Sequence, residues 1–434
     1  MSEWQKTQIK SLFASSLPGE WGKEGTPENG TPVLRSTNFR NDGSIDFSDI
    51  AYRTIEPARL TKRLVVYGTV LIEKSGGSPT QAAGRIVFCD RDFGGTASNF
   101  IEVVNIRKGF HPKYIAYLLL YLYQSGLVLK YQQQTTGIIN FKLNQYIEEP
   151  VGLPSDELEQ AKIAEILAAI DRVIERTEEL IAKHERIKSG LTQALLTRGI
   201  DEHGNLRSES THAFKDSQLG RIPQSWSQTS FGKVFAEYGG HVQTGPFGSQ
   251  LHSYEYLAEG IPVVMPQDII LGSINTSDIA RISNFKAKTL ARHRMLPGDL
   301  IFARRGDLSK CAVAKPEYEG WLCGTGCLLM RLPSRALSPR WTTEIYRFHT
   351  TQRQVSIQAV GSTMPNLNTE ILQSLIFARP TLEEQLRIED KLSRMEDHEE
   401  LMRGLLSKLG NLKTGLMHDL LTGRKRVTTL LEIE

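Results

Sequence analysis

A lysine inside a glycine-rich stretch, Gly19 to Thr26 (GEWGKEGT), is the first place where this sequence could do chemistry, by cradling a phosphate. Such a loop follows its lysine with Ser or Thr and then opens a helix. Here Glu24 follows Lys23, and the next residues carry no helical pattern. Cys323 and Cys327 could supply half of a zinc site, yet no second Cys or His pair with zinc spacing lies nearby. They read as small buried thiols. The histidines are scattered, with neither H-E-x-x-H nor a Ser/His/Asp arrangement. An amino-methyltransferase would need an aromatic-flanked Asn/Asp-Pro-Pro motif, and a dinucleotide site a Gly-x-Gly-x-x-Gly after a strand. Neither is present. Reactive residue types are therefore here without the spacing that catalysis needs.

A chain of 434 residues with 40% hydrophobic and 23% charged content is an ordinary folded protein, long enough for two medium domains. A net charge of +3 permits a polyanionic partner without requiring one. Four cysteines (Cys89, Cys311, Cys323, Cys327) imply a reducing compartment with no disulfide framework. The N-terminus lacks the apolar core of a signal peptide. The most apolar stretch, Tyr114 to Leu129, is too short to span a bilayer and is broken at Gln124-Ser125-Gly126, which predicts a buried helix. A cytoplasmic protein is expected, with no membrane partner.

The chain repeats itself. Glu159-Gln160 aligns without a gap to Glu384-Gln385, a shift of 384 − 159 = 225. The register holds through Ile163 on Ile388, Leu167 on Leu392 and Lys188 on Lys413 to Leu195-Leu196-Thr197 on Leu420-Leu421-Thr422. Both copies read as long helices. In the first, Ile163, Ile170, Thr177, His184 and Leu191 form one heptad row, and Ile166, Val173, Leu180, Ile187 and Ala194 a second. In the second, Ile388, Met395, Met402, Leu409 and Leu416 repeat the first row. A solvated helix of this length needs a partner for its apolar seam, and the other copy is the nearest candidate. Copies related by a pseudo-two-fold axis lie antiparallel, which predicts two domains at opposite ends of a rod. His184 reads as a polar residue setting register in that seam.

Upstream of the helices the copies correspond more loosely. Thr31 to Leu34 matches Ile261 to Val264, Tyr67 to Ile72 matches Pro297 to Phe302, and Gly137 to Asn144 (GIINFKLN) matches Gly361 to Asn368 (GSTMPNLN). On the last match Lys142 falls on Asn366 and has no basic counterpart. Short β-type runs alternate with Gly, Pro and Asn, with one helix per copy (Pro112 to Leu129; Pro339 to Gln352). The front differs: Trp226 precedes Pro262 by 262 − 226 = 36 positions, whereas Trp21 precedes Pro32 by 32 − 21 = 11. Leu17-Pro18-Gly19-Glu20-Trp21 either mimics the opening Ile222-Pro223-Gln224-Ser225-Trp226 or aligns with the later loop Gly239 to Gly248.

These fragments resemble the specificity subunit of a type I restriction–modification enzyme. Phe214 to Trp226 (FKDSQLGRIPQSW) resembles the opening of the second target-recognition domain in that family. Leu296 to Gly306 (LPGDLIFARRG) resembles the strand and loop near its middle, and Gly361 to Asn368 its closing motif. Segments opening LPSDELEQAKIAEIL and RPTLEEQLRIEDKL resemble the two conserved regions. The resemblance implies an α/β (α+β) protein with two target-recognition domains in pseudo-two-fold symmetry, separated by two long antiparallel coiled-coil-like helices. Residues 1–152 and 222–379 are the expected domains, 153–200 and 380–427 the helices, 201–221 a linker and 428–434 a tail.

It also implies a non-catalytic, DNA-reading subunit. Each domain would read one half of an asymmetric bipartite site, while the helices set the unread spacer and dock two methyltransferase subunits. Motor-nuclease subunits would join them, and S-adenosylmethionine, ATP and Mg would sit on those partners, none on this chain. Candidate contacts to double-stranded DNA are then Arg, Lys, Asn, Gln and Ser on loops. In the second domain they are Gln243, Thr244, Gln267, Arg304, Arg305, Lys310, Asn366 and Asn368. In the first they are Arg35, Asn38, Lys74, Ser75, Gln81, Arg85, Asn140, Lys142 and Asn144. Two other classes are distinguishable by experiment: a fused enzyme would methylate DNA alone, and a purely structural protein would show no sequence preference.

Overall fold

A computed structural model describes residues 3–78, 80–135, 138–270, 272–359 and 365–431. It divides into two compact units, one of Met1–Leu180 with Met402–Glu434 and one of Ile181–Leu401. Each unit therefore takes one part of each long helix.

The first unit begins with β1 (Trp4–Gln8) and β2 (Phe13–Pro18), followed by β3 (Val70–Glu73), β4 (Ile86–Phe88) and β5 (Ile101–Ile106). Helix α1 (Pro112–Gln124), β6 (Pro150–Pro154) and the long helix α2 (Glu157–Thr197) complete the order. The second unit repeats it with β7 (Ser227–Ser230), β8 (His241–Thr244), β9 (Leu300–Ala303), β10 (Cys311–Val313) and β11 (Cys327–Arg331). Helix α3 (Pro339–Arg347), β12 (Ile376–Arg379) and the long helix α4 (Leu382–Leu421) follow.

Antiparallel four-stranded sheets organise both units, in the order β2-β5-β3-β4 and β8-β11-β9-β10. Alternation along a strand sends successive side chains to opposite faces. Val70 and Ile72 accordingly join a core with the α1 residues Tyr114 to Leu120, while Leu71 joins a second core with Leu34, Ala97 and Val103. Phe302 and Ile301 divide in the same way, toward Trp341 and Tyr346 on one side and Val264 and Leu329 on the other. Both faces are covered, so these strands read as unbroken apolar runs. Beyond each lies a second small sheet with matching order. Thr31–Leu34 pairs parallel with Thr96–Ala97 in one unit, and Ile261–Val264 with Leu322–Cys323 in the other.

The front of the chain follows the second alternative. Trp4 lies opposite Pro154 at the head of the β1–β6 ladder, the place Trp226 holds before the β7–β12 ladder. Gly19 donates its N–H to Ile101 O at 2.8 Å, and Gly245 donates to Cys327 O at 2.9 Å. Both glycines press on the neighbouring backbone, where a Cβ would overlap a carbonyl oxygen. Leu17 to Trp21 thus corresponds to the Gly239–Gly248 loop, and Trp4 is the opening tryptophan. Lys23–Glu24 forms a short strand, followed by a turn into another strand, not by a helix.

Two helix boundaries differ from expectation. α1 ends at Gln124, where Gly126 takes a positive φ of 82°, and only a 3-10 turn (Leu127–Tyr131) follows. α3 ends at Arg347, and a separate helix, His349–Ala359, begins after Phe348.

The long helices run antiparallel within each unit. Ile163 and Leu167 share a core with Met417, Leu420 and Leu421, and Asp171 pairs with Lys413 at 2.7 Å. In the other unit Leu195 and Leu196 share a core with Ile388 and Leu392, and Lys188 bonds Glu399 at 3.1 Å. The first heptad row is the seam. Ile163, Ile170 and Thr177 are buried, and His184 packs on His398 with ring centroids 5.0 Å apart. The second row is covered only near its ends. Val173, Leu180 and Ile187 are 47%, 57% and 52% exposed, as are Leu405 and Leu412 on α4 at 49% and 52%. One helix beside another buries one stripe, and the second stripe is left to solvent.

Candidate nucleic-acid interface

The middle and closing segments, far apart in sequence, meet at the end of each main sheet. Phe141 donates its N–H to Lys74 O at 2.7 Å, and Asn140 lies opposite Ser75. Leu367 donates to Arg304 O at 2.9 Å, and Arg305 lies opposite Asn366. These bonds fix the correspondence. Lys74 matches Arg304, Ser75 matches Arg305, and Asn140 matches Asn366. Lys142 then falls on Asn368, since each sits immediately before a helix, Leu143–Tyr146 and Thr369–Ser374. The gap-free sequence match, with a shift of 361 − 137 = 224, is two short of the structural shift of 367 − 141 = 226. Matching Leu-Asn to Leu-Asn by letter therefore sets the register off by two residues. Gly137 and Gly361 to Met364 lie outside the described residues.

In the first unit, Lys142 and Asn144 are exposed and line a cleft of about 590 Å³ with Lys74, Gln133 and Gln145. Glu102 stands at its wall, pairing with Lys74 at 2.9 Å and accepting from Ser16 Oγ at 2.8 Å. Gln133 and Gln145 were not singled out in the sequence. The run Gln132-Gln133-Gln134, polar in a strand, was the available signal. Ser75 and Asn140 are half-buried beside this cleft, and Gln81 is held by Asn41 at 2.7 Å. Arg35 bonds Asp49 at 2.6 Å.

Asn38 and Arg85 leave the candidate interface. Asn38 is 3% exposed; its Oδ1 accepts from Arg35 N at 2.8 Å and its Nδ2 donates to Asp46 O and Asp49 O. Asp268 performs the same turn-closing duty in the other unit, accepting from Met265 N at 2.8 Å. Arg85 donates to both carboxylate oxygens of fully buried Glu73, at 2.6 and 2.9 Å, and to Phe39 O. Residue type alone put both at the surface, whereas the fold engages their side-chain hydrogen bonds inside.

In the second unit, Arg305 and Gln267 are exposed, and Lys310 is half-buried. None of these three side chains has a bonded partner among the described residues. Lys310 is the structural counterpart of Arg85, because Ala303 N donates to Lys310 O just as Glu73 N donates to Arg85 O. With alanine in place of Glu73, the cation has no buried carboxylate facing it among the described residues. Arg304 donates from Nε to Asn366 Oδ1 at 3.1 Å. Gln243 bonds Arg292 O at 2.5 Å, and Thr244 follows it at the end of β8. Asn368 uses its Oδ1 to cap the following helix at Ile371 N, 2.7 Å away.

This contrast gives a stability prediction. Arg85→Ala leaves the Glu73 carboxylate buried without its partner and should cost about 3–5 kcal/mol. Lys310→Ala breaks no side-chain hydrogen bond or ion pair among the described residues and should stay within about 0.5 kcal/mol. Urea denaturation of the two variants measures the difference, and equal midpoints would contradict the pairing.

All four cysteines are buried with free thiols. Burial pushes Cys311 up to about 12, and the adjacent Cys323 thiol together with burial pushes Cys327 up. No group of three or more His, Cys, Asp or Glu able to hold a metal occurs among the described residues. None of their helices is long and apolar enough to cross a membrane.

A twofold framework with divergent polar loops and paired helices has known counterparts. Residues 1–186 and 297–411 match the family described as the type I restriction modification DNA specificity domain. The chain belongs to this family. It is a DNA specificity subunit, whose role is recognition and not catalysis. It is 22% identical over 431 residues to the putative type I restriction enzyme MjaX specificity subunit of Methanocaldococcus jannaschii, covering 98% of this chain and 95% of that protein. Over 319 residues it is 23% identical to the MjaVIII specificity subunit of the same organism, covering 72% and 71%. The crystal structure of a type I S subunit from M. genitalium has the same fold, with a TM-score of 0.53, 16% identity and coverage of 97% and 96%. A structure concerned with complex assembly and conformational transition of the type I system matches at a TM-score of 0.56 and 16% identity, covering 97% and 98%.

Proposed function

We propose that this specificity subunit reads an asymmetric bipartite site on double-stranded DNA, one half with each recognition domain, and that the paired helices set the unread spacer. The observation that carries this reading is one framework bearing different side chains at equivalent places. Lys74 stands for Arg304, Ser75 for Arg305 and Lys142 for Asn368. Different donors and acceptors at one geometric position select different base edges.

Two methyltransferase subunits dock on the helices, and motor-nuclease subunits join them. The exposed rows at Val173, Leu180 and Ile187 and at Leu405 and Leu412 support docking, since apolar stripes on a solvated helix need cover. S-adenosylmethionine, ATP and Mg belong to those partners, and the complex works in the cytoplasm. The test is to produce the chain with its methyltransferase subunits and map methylated adenines across a genome. One two-part asymmetric motif with a constant spacer is expected. Methylation by the purified chain alone would make it an enzyme, and methylation without sequence preference would remove its role as reader.

A further inference from the structure

Two buried carboxylates occupy the same place in the two units. Glu159 has no exposed surface and lies in the first turn of α2. Arg426 grips it with two bonds, Nε to Oε1 and Nη2 to Oε2, both 2.7 Å. Glu384 lies in the first turn of α4 and is 3% exposed. Arg207 donates to its two oxygens at 2.5 and 3.1 Å, and Ile200 N and Trp226 Nε1 donate at 3.0 and 3.1 Å. Both arginines lie just beyond the end of the other long helix.

The opening tryptophans sit beside both pairs, and Trp226 alone also bonds the carboxylate, Trp4 Nε1 having no hydrogen-bond partner among the described residues. Trp226 rests on Gly199 and Trp4 on Gly423, two positive-φ glycines immediately after α2 and α4 whose missing side chains make room for the indoles. Each knot thus joins three segments: the start of a recognition domain, the start of the helix leaving it, and the end of the antiparallel helix.

A buried ion pair is a poor source of net stability, because well-packed apolar side chains of similar volume serve as well. What a bidentate pair adds is angular definition, since the planar guanidinium meets the carboxylate in one orientation. We infer that Glu159 and Glu384 are positioning residues for DNA reading: each fixes the angle at which its recognition domain leaves its helix pair, and so the separation at which its half-site is read. This rests on the two-half-site reading above.

The test uses the full chain assembled with its methyltransferase subunits, on duplexes whose spacer is varied one base pair at a time. Glu159→Gln and Glu384→Gln, near-isosteric changes, should each lower methylation at the wild-type spacer by roughly five-fold, the size of a one-kcal/mol loosening. Each should also raise methylation at spacers one base pair longer or shorter. Arg426→Lys keeps the charge but loses the two-pronged grip, so it should broaden the spacer without changing the melting temperature. The exchanged pair Glu159→Arg with Arg426→Glu should restore a single spacer. Uniform loss of activity with the wild-type spacer retained in the glutamine and lysine variants would overturn the inference, leaving the pairs merely structural. A wild-type complex with no preferred spacer would instead overturn the two-half-site reading.

Discussion

Arg305→Ala is expected to weaken binding of the assembled complex to its cognate duplex by about 1–3 kcal/mol if the guanidinium reads a base edge. The side chain is exposed and has no bonded partner among the described residues, so its loss breaks no hydrogen bond or ion pair there. Arg304→Ala should cost a similar amount for a different reason. Its Nε holds Asn366 at 3.1 Å, and truncation frees a second polar side chain from its orientation. Salt titration separates the two kinds of contact. A base-reading arginine relaxes discrimination at one position, whereas a phosphate-binding one lowers the salt slope by about one and affects all sequences alike. Unchanged affinity together with unchanged slope in the double variant would place the reading surface elsewhere on this domain.

Insertion of seven residues into each long helix is expected to move the preferred spacer without altering either half-site. The insertions belong after Leu180 in α2 and after Leu401 in α4, where the compact units divide. Seven residues preserve the heptad row, so the seam residues keep facing the other helix. They add about 10.5 Å at 1.5 Å per residue. At about 3.4 Å per base pair that is roughly three base pairs of spacer. Three base pairs also turn the duplex by about a third of its 10.5-base-pair turn, so affinity should fall as the preference shifts. Methylation mapping reads both the half-sites and the gap between them. A gap unaltered in length would show that the helices do not measure it.

The duplication was legible because the helices diverged without gaps, and a seven-residue apolar period survives changes of residue type. The framework strands were legible for a similar reason, as in Val70-Leu71-Ile72 and Leu300-Ile301-Phe302, runs buried on both faces. Loops carry no such period. The true partner of Lys142 emerged only from the backbone bonds at Phe141 and Leu367. Trp4 went unrecognised because β1 is followed by a 3-10 turn (Ile9–Leu12), where the second unit has a helix, Phe231–Tyr238. Arg85 shows the limit of reading by type: the same kind of residue is bound to a buried carboxylate or left facing outward according to whether the facing position is Glu73 or Ala303. His184 could be placed in the seam from spacing, but its partner His398 falls outside the heptad row that named it.

The division of the long helices between the units bears on how the protein is made. The second unit is one continuous stretch, Ile181–Leu401. The first is not: its core closes only when Met417, Leu420, Leu421 and Val427 cover Ile163 and Leu167. Leu167 and Met417 are 417 − 167 = 250 positions apart in the chain. On the ribosome, the domain synthesised first is therefore finished last. Its apolar seat stays uncovered while the rest of the chain is made, an interval of about 10–50 s at ordinary rates of synthesis. During that interval aggregation, capture by a chaperone or pairing with another nascent chain competes with the return of the second helix.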